Sequence, residues 1–126
     1  MEVPRFSYEN DGAILILRAS GAPTDRERKP VYDAIRADPN VPPNALLLLD
    51  VREIDVAMFS GHALLERLRV LTDRLGRKLG PVCALIVPPE LSKHVTLFRD
   101  AGLLVGLRVH LFTDEPSARQ WLSGYR

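Results

Sequence analysis

The sequence has one cysteine, so no internal disulfide can close. Cys83 sits in PVCALIV, a run that reads as a buried strand, and a reducing compartment is the expectation. An excess of one charge is missing too. Seventeen Lys and Arg against sixteen Asp and Glu leave a formal net charge of +1. That balance lacks the electrostatic footprint of a nucleic-acid binder. Long apolar runs are also absent. The longest, ALLLL (45–49) and CALIV (83–87), fall far short of the roughly 20 residues that cross a bilayer. MEVPRFSYENDG carries no secretory-type apolar stretch, and common lipidation signals are missing. No membrane span and a cytoplasmic location are expected.

Motifs for chemistry are equally scarce. There is no P-loop and no G-x-S-x-G. Gly102 and Gly106 are too sparse for a dinucleotide fingerprint and read as a helix C-cap and a turn. His62, His94 and His110 show no ligand-type spacing with one another or with Cys83. A thiol buried in an apolar strand is inert. The expectation is no catalytic residue, no metal and no cofactor.

What is present is a globular composition. Of 126 residues, 46% are hydrophobic and 26% charged. This length suits one domain, 1–126, with a core large enough to need no staple. Two strands, 5–9 and 13–19, flank Asn10-Asp11-Gly12, a hairpin cue because Asp and Gly tolerate positive φ. AILILRA is nearly all apolar, so both its faces are expected to be covered. Thr24 and Glu27 have capping-box spacing, and Val31, Ala34 and Ile35 form a helical stripe. Pro30 predicts that this helix starts late or kinks. ALLLLDV (45–51) reads as a central strand, followed by a polar stretch and a long helix over roughly 60–76. That helix carries Leu64, Leu65, Leu68, Leu71 and Leu75 at 3.6-residue spacing. PVCALIV (81–87) is the next strand. Pro88-Pro89 opens a helix with Leu91, Val95 and Phe98 on one face and Gly102 as its cap. LRVHLF (107–112) is the last strand, and Thr113 or Asp114 caps a final helix with Ala118, Trp121 and Leu122. The order ββαβαβαβα makes an α/β fold. Its sheet has about five strands, mostly parallel after an N-terminal hairpin, with about four helices.

Ligands of open α/β sheets bind at the carboxyl ends of the strands. Asp50, Glu53 and Asp55 lie there, as turn caps or as a ligand surface. The segment Ala57-Met58-Phe59-Ser60-Gly61-His62 joins the central strand to the long helix. Ser60 can cap that helix, accept a phosphate, or both, since a helix N-terminus stabilises anionic groups. Met58 and Phe59 stand open as a hydrophobic staple or as an exposed apolar contact. Arg67, Arg69, Arg74, Arg77 and Lys78, interleaved with Glu66 and Asp73, read as a mixed solvated face.

LLLLDVREIDVAMFSG, with Asp50 eleven residues before Gly61, resembles the strand-to-helix motif of the STAS domain superfamily. VCALIVPPELSKHVTLFRDAG and VHLFTDEPSARQWL look like that family's closing strand, helix, strand and helix. The Ala-x-x-Trp-Leu ending is most similar to its divergent SpoIIAA-like branch, also described as STAS/SEC14-like. The resemblance covers nearly the whole chain and implies a SpoIIAA-like fold. It also implies an anti-sigma-factor-antagonist-like regulator: the serine before the glycine, here Ser60, is phosphorylated by a partner kinase, which abolishes binding. Two departures bear on this. The family's Asp-Ser-Ser-Gly is Met58-Phe59-Ser60-Gly61 here, and the acidic residue after the first loop's glycine is Thr24.

The expectation is therefore a non-enzymatic regulatory domain that binds an anti-sigma factor, a kinase-type protein or another regulatory protein. Thr24, Asp50, Asp55, Met58, Phe59, Gly61 and His62 are its candidate surface and Ser60 its phosphoacceptor. The alternative is a carrier or sensor of a lipid-like or other small apolar ligand, which suits the apolar loop. An enzyme built on Asp50–Asp55 would lack a paired base or nucleophile. Apolar residues outside the core leave room for a homodimer.

Overall fold

The computed structural model describes residues 4–125, apart from the side chain of Met58. Strands β1 (Phe6–Asp11), β2 (Ile14–Gly21), β3 (Ala45–Ile54), β4 (Leu79–Ile86) and β5 (Arg108–Phe112) form one sheet in sequence order. β1 and β2 are antiparallel, with Asp11 opposite Ile14, as the Asp-Gly turn predicts. Every other pairing is parallel. Four helices connect and close the sheet: α1 (Asp25–Ala37), α2 (Gly61–Leu75), α3 (Val95–Leu104) and α4 (Glu115–Ser123).

Alternation along the strands divides the core between two faces. Leu15, Leu17, Leu47, Cys83 and Leu85 pack on one side with Tyr32 and Ile35 of α1, Leu68, Leu71 and Leu75 of α2, and Phe98 and Ala101 of α3. Ile14, Ile16, Leu48, Ala84 and Ile86 pack on the other side with Ala118 and Leu122 of α4. The near-continuous apolar runs of β2, β3 and β4 follow from this two-sided cover. Each fully buried leucine contributes about 1.5–3 kcal/mol of transfer free energy.

Five local features differ from the sequence pattern. α1 starts directly after Thr24 and passes through Pro30. The complete Thr24–Glu27 capping box fixes its first turn, and the Arg5 guanidinium grips the Glu27 carboxylate. The exposed Pro30 removes only one backbone donor. The buried stripe of α1 is Arg28, Tyr32 and Ile35, whereas Ala34 is exposed. β3 continues three residues beyond Val51, because Ser20 pairs with Glu53 and Gly21 with Ile54 past a bulge. A 3-10 turn, Pro89–Leu91, follows Pro88, and α3 begins only at Val95, which is exposed. Finally, Gly102 lies inside α3. A Cβ there would sit 2.5 Å from Val109 Cγ2 and 2.8 Å from the Leu107 carbonyl oxygen, so it is the contact point of α3 with β5. Gly106, at φ +82°, makes the turn.

Parallel pairing brings the carboxyl ends of β2 to β5 to one edge of the sheet. The β2–α1, β3–α2 and β4–α3 connections gather there, joined by the Asp55 amide donating to the Gly21 carbonyl at 2.8 Å.

Candidate functional site

The β3–α2 connection is a 3-10 turn, Val56–Met58, followed by Phe59 and Ser60. Asp55 caps the turn, its Oδ1 accepting from the Ala57 amide at 3.1 Å. Ser60 caps α2: its Oγ accepts from the Ala63 amide at 3.0 Å while the residue stays exposed. Phe59 turns inward. Its ring stacks on Phe98 with centroids 5.4 Å apart and tilts against His94 at 5.9 Å. Gly61 faces α3, with Leu97 Cδ1 3.4 Å from where a Cβ would stand. His62 is exposed. The Met58 side chain lies outside the described residues.

Under this connection a cavity of about 290 Å³ opens between α1, α2 and the inner face of the sheet. Phe6, Leu49, Phe59, Leu68, Leu71 and Phe98 contribute to an apolar lining drawn from six elements and the loop. Its polar groups are few: Arg28, Tyr32, Asp55 and Arg67. Arg28 is only 9% exposed. Among the described residues, one of its five N–H donors has a protein acceptor, Asp25 Oδ1 at a long 3.3 Å. Arg67 Nη1 donates to the same oxygen at 3.0 Å. Burial, and then the nearby Arg67 charge, push the Arg28 pKa down. Tyr32 is 4% exposed, and its hydroxyl has no hydrogen-bond partner among the described residues. Burial pushes its pKa up.

The predicted site residues divide between two faces. Phe59, Ser60, Gly61, His62 and Asp55 are gathered at the loop, with Phe59 and Asp55 also lining the cavity. Thr24 is on the neighbouring β2–α1 connection, engaged with Glu27. Asp50 points to the α4 side. Arg18 Nη1 and Arg52 Nη2 each donate to its Oδ2 at 2.7 Å, and Arg18 also bonds Glu115 at 2.9 Å. Burial raises the Asp50 pKa, but hydrogen bonds from Arg52 and Arg18 outweigh it and hold the carboxyl below its usual range. Arg119 completes the cluster, bonding Glu115 at 2.8 Å and Asp11 at 2.7 Å. These ion pairs lock α4 to the strand ends.

Arg28 and Tyr32 were not among the sequence candidates. One signal pointed to them: Arg28, Tyr32 and Ile35 fall at i, i+4 and i+7, which puts an arginine in an apolar stripe. Arg67, which reads in the sequence as part of a mixed solvated face, lines the cavity.

Two other features stand apart from the cavity. The outer surface of α3 exposes Val95, Leu97, Leu103 and Leu104, the last two at 62% and 72%. A wider depression of about 480 Å³, lined by Arg36, Asp73, Arg74, Arg77 and Lys78 among others, lies at the far end of α1 and α2. Lys78 is committed there to the Asp38 and Val41 carbonyls. The histidines are dispersed: His62 opens α2, His94 precedes α3, and His110 stacks on Trp121 with centroids 5.0 Å apart. Among the described residues no helix is long and apolar enough to cross a membrane.

No protein-family model matches the chain, and no curated protein matches it. Among solved structures it is similar to an uncharacterized protein of the DUF3478 family with a SpoIIAA-like fold from Shewanella loihica PV-4. The two are 23% identical over 93% of this chain and 91% of that chain, with a TM-score of 0.65. The chain has a divergent SpoIIAA-like fold, in line with the STAS resemblance of its sequence.

Proposed function

We propose that this chain is a non-enzymatic binding domain whose cleft beneath the Phe59–Ser60 connection takes up a small apolar molecule. The observation that carries this reading is the cavity itself, about 290 Å³ and mostly apolar, at the ligand-binding edge of the sheet. An engineered apolar cavity of about 150 Å³ holds benzene, so this one has room for a somewhat larger molecule, well short of a two-chain lipid. The groups that could do covalent chemistry are engaged elsewhere, which supports a binding role. The Cys83 thiol is buried and pushed up to about 12. Ser60 Oγ serves as a cap and Asp50 sits between arginines. Native mass spectrometry of protein from its own cells tests the reading. A bound apolar molecule is expected, and Ala63→Phe, which fills the mouth, is expected to lose it. A clean unliganded mass for the parent protein counts against the cleft.

A second reading rests on a separate observation. Exposed Leu97 lies beside the Ser60–Gly61 helix start, and Val95, Leu103 and Leu104 extend the apolar surface along α3. Phosphate on Ser60 would set a charge of about −1.5 to −2 against that surface and repel a docked partner by charge and desolvation. Mapping phosphate on protein recovered from its own cells tests this: an unmodified Ser60 under every growth condition sampled removes the switch.

A further inference from the structure

We infer that the occupant of the cleft is an amphipathic monocarboxylate, its apolar body among Phe59, Leu68 and Leu71 and its carboxylate on Arg28, Arg67 and Tyr32. The inference rests on the cleft reading and adds the chemistry of the head group. Three observations converge. Arg28 lies at the cavity wall, and among the described residues one of its five N–H donors has a protein acceptor. Its unpaired nitrogens keep contact with solvent, so an anion entering the cavity can take the place of water on them. Tyr32, one helical turn on, lines the same cavity, and its hydroxyl, open to solvent, also has no partner among the described residues. The third observation is that a carboxylate already stands between the two arginines. Asp25 Oδ1 accepts from both, yet the Asp25 side chain is 88% exposed. So exposed a carboxylate gains little from the pairing, and a ligand carboxylate arriving from the apolar side can displace it.

The count of charges decides between a carboxylate and a phosphate. Arg28 and Arg67 supply two positive charges, and the Asp25 carboxylate they share offsets one. Glu27 and Arg74 act on the pair and on Tyr32 with opposite signs, and Asp55 lines the same cavity. A monoanion is accommodated there. A dianion would bring a second negative charge beside two carboxylates. The planar guanidinium fork also matches a carboxylate in bidentate fashion, with the Tyr32 hydroxyl left to donate to the remaining lone pair.

The test uses the full chain, stripped of bound molecules, and three probes of matched tail: octanoate, 1-octanol and octyl phosphate. Isothermal titration is expected to rank octanoate tightest. Arg28→Gln is expected to weaken octanoate by about tenfold or more and to collapse its preference over octanol. Arg67→Gln, on the exposed side, and Tyr32→Phe repeat the measurement should Arg28→Gln not fold, each expected to lower that preference severalfold. If octanol binds as tightly as octanoate and no variant alters the ratio, the carboxylate assignment is overturned while the cleft stands. If octyl phosphate binds more tightly than octanoate, the head-group assignment is wrong. If none of the three binds, the cleft reading itself falls.

Discussion

Arg28→Met is expected to stabilise the ligand-free protein. The side chain is 10% exposed, and its single acceptor among the described residues is a carboxylate that is 88% exposed. An ion pair with so solvated a partner contributes about 0–1 kcal/mol. Against it stands the partial desolvation of the charged guanidinium, the main cause of its lowered pKa, a cost of about 1–2 kcal/mol. Methionine keeps the apolar stem, fills much of the same volume and removes the charge. It also removes the repulsion from Arg67 that helps push the Arg28 pKa down. The net expectation is a gain of about 1 kcal/mol, or about 3–5 °C in Tm for a chain of this length. Urea unfolding followed by Trp121 fluorescence, on protein freed of bound molecules, measures it. Excess octanoate should then narrow or reverse the difference, because only the parent protein gains binding energy from the carboxylate. An arginine kept at a cost to stability is what a ligand-binding role predicts. A loss of 1 kcal/mol or more in the stripped variant would refute the reasoning, because Arg28 would then be part of the folded framework.

Three further outcomes are expected. Ser60→Ala should lose about 1 kcal/mol in chemical denaturation by removing the α2 cap, whereas Ser60→Asp keeps an acceptor at the helix start and should stay within about 0.5 kcal/mol of the parent. A partner defect in Ser60→Asp alone would therefore report charge, not misfolding. Gly102→Ala should destabilise by about 1–2 kcal/mol, since the clash with Val109 and the Leu107 carbonyl outweighs the helix preference for alanine; an unchanged urea midpoint would contradict that contact. Asp50→Asn should cost about 1–3 kcal/mol at neutral pH. Because the folded Asp50 pKa lies below its ordinary value, its contribution is full above about pH 4 and fades as pH falls through the folded pKa. The gap between parent and variant should close in acid, and a constant gap from pH 7 to pH 2 would remove Asp50 from the ion-pair cluster.

The order of elements along the chain was readable because local and global signals agree. The apolar runs of β2, β3 and β4 need cover on both faces, and a helix follows each of them. Turn chemistry placed the hairpin, and side-chain oxygens on Thr24, Ser60 and Asp114 placed three helix starts. The errors arose where tertiary contact overrode local preference. Gly102 looks like a stop signal, but its missing side chain serves the approach of α3 to β5. Pro30 looks like a breaker, but α1 is anchored from both sides of it by the capping box and by the burial of Tyr32 and Ile35. The polar end of β3 looks like a loop, but Glu53 and Ile54 have partners in β2 that no window of sequence reveals.

The site was legible only in its outline. Sequence pointed to the sheet edge and to the loop around Ser60, because strand ends and helix caps are local features. It could not show which way Phe59 and Asp50 face. Phe59 goes inward because Phe98 and His94, far along the chain, offer it a stack. Asp50, one residue after Leu49 on the cavity side, turns by the strand's two-residue period to the α4 face, where Arg18 and Glu115 hold it. One register step thus separates a cleft lining from a structural ion pair, and it divides the acidic residues that looked like one cluster. The cavity is less legible still, since Phe6, Arg28, Phe59, Leu71 and Phe98 meet only in the folded chain. Arg28 alone carries a local trace of it. A charged residue at i, with Tyr32 and Ile35 at i+4 and i+7, has to be buried by the same helical period that buries them. An arginine at the wall of an apolar cavity, with the exposed Asp25 as its one acceptor among the described residues, is the local feature on which the proposed anion site rests.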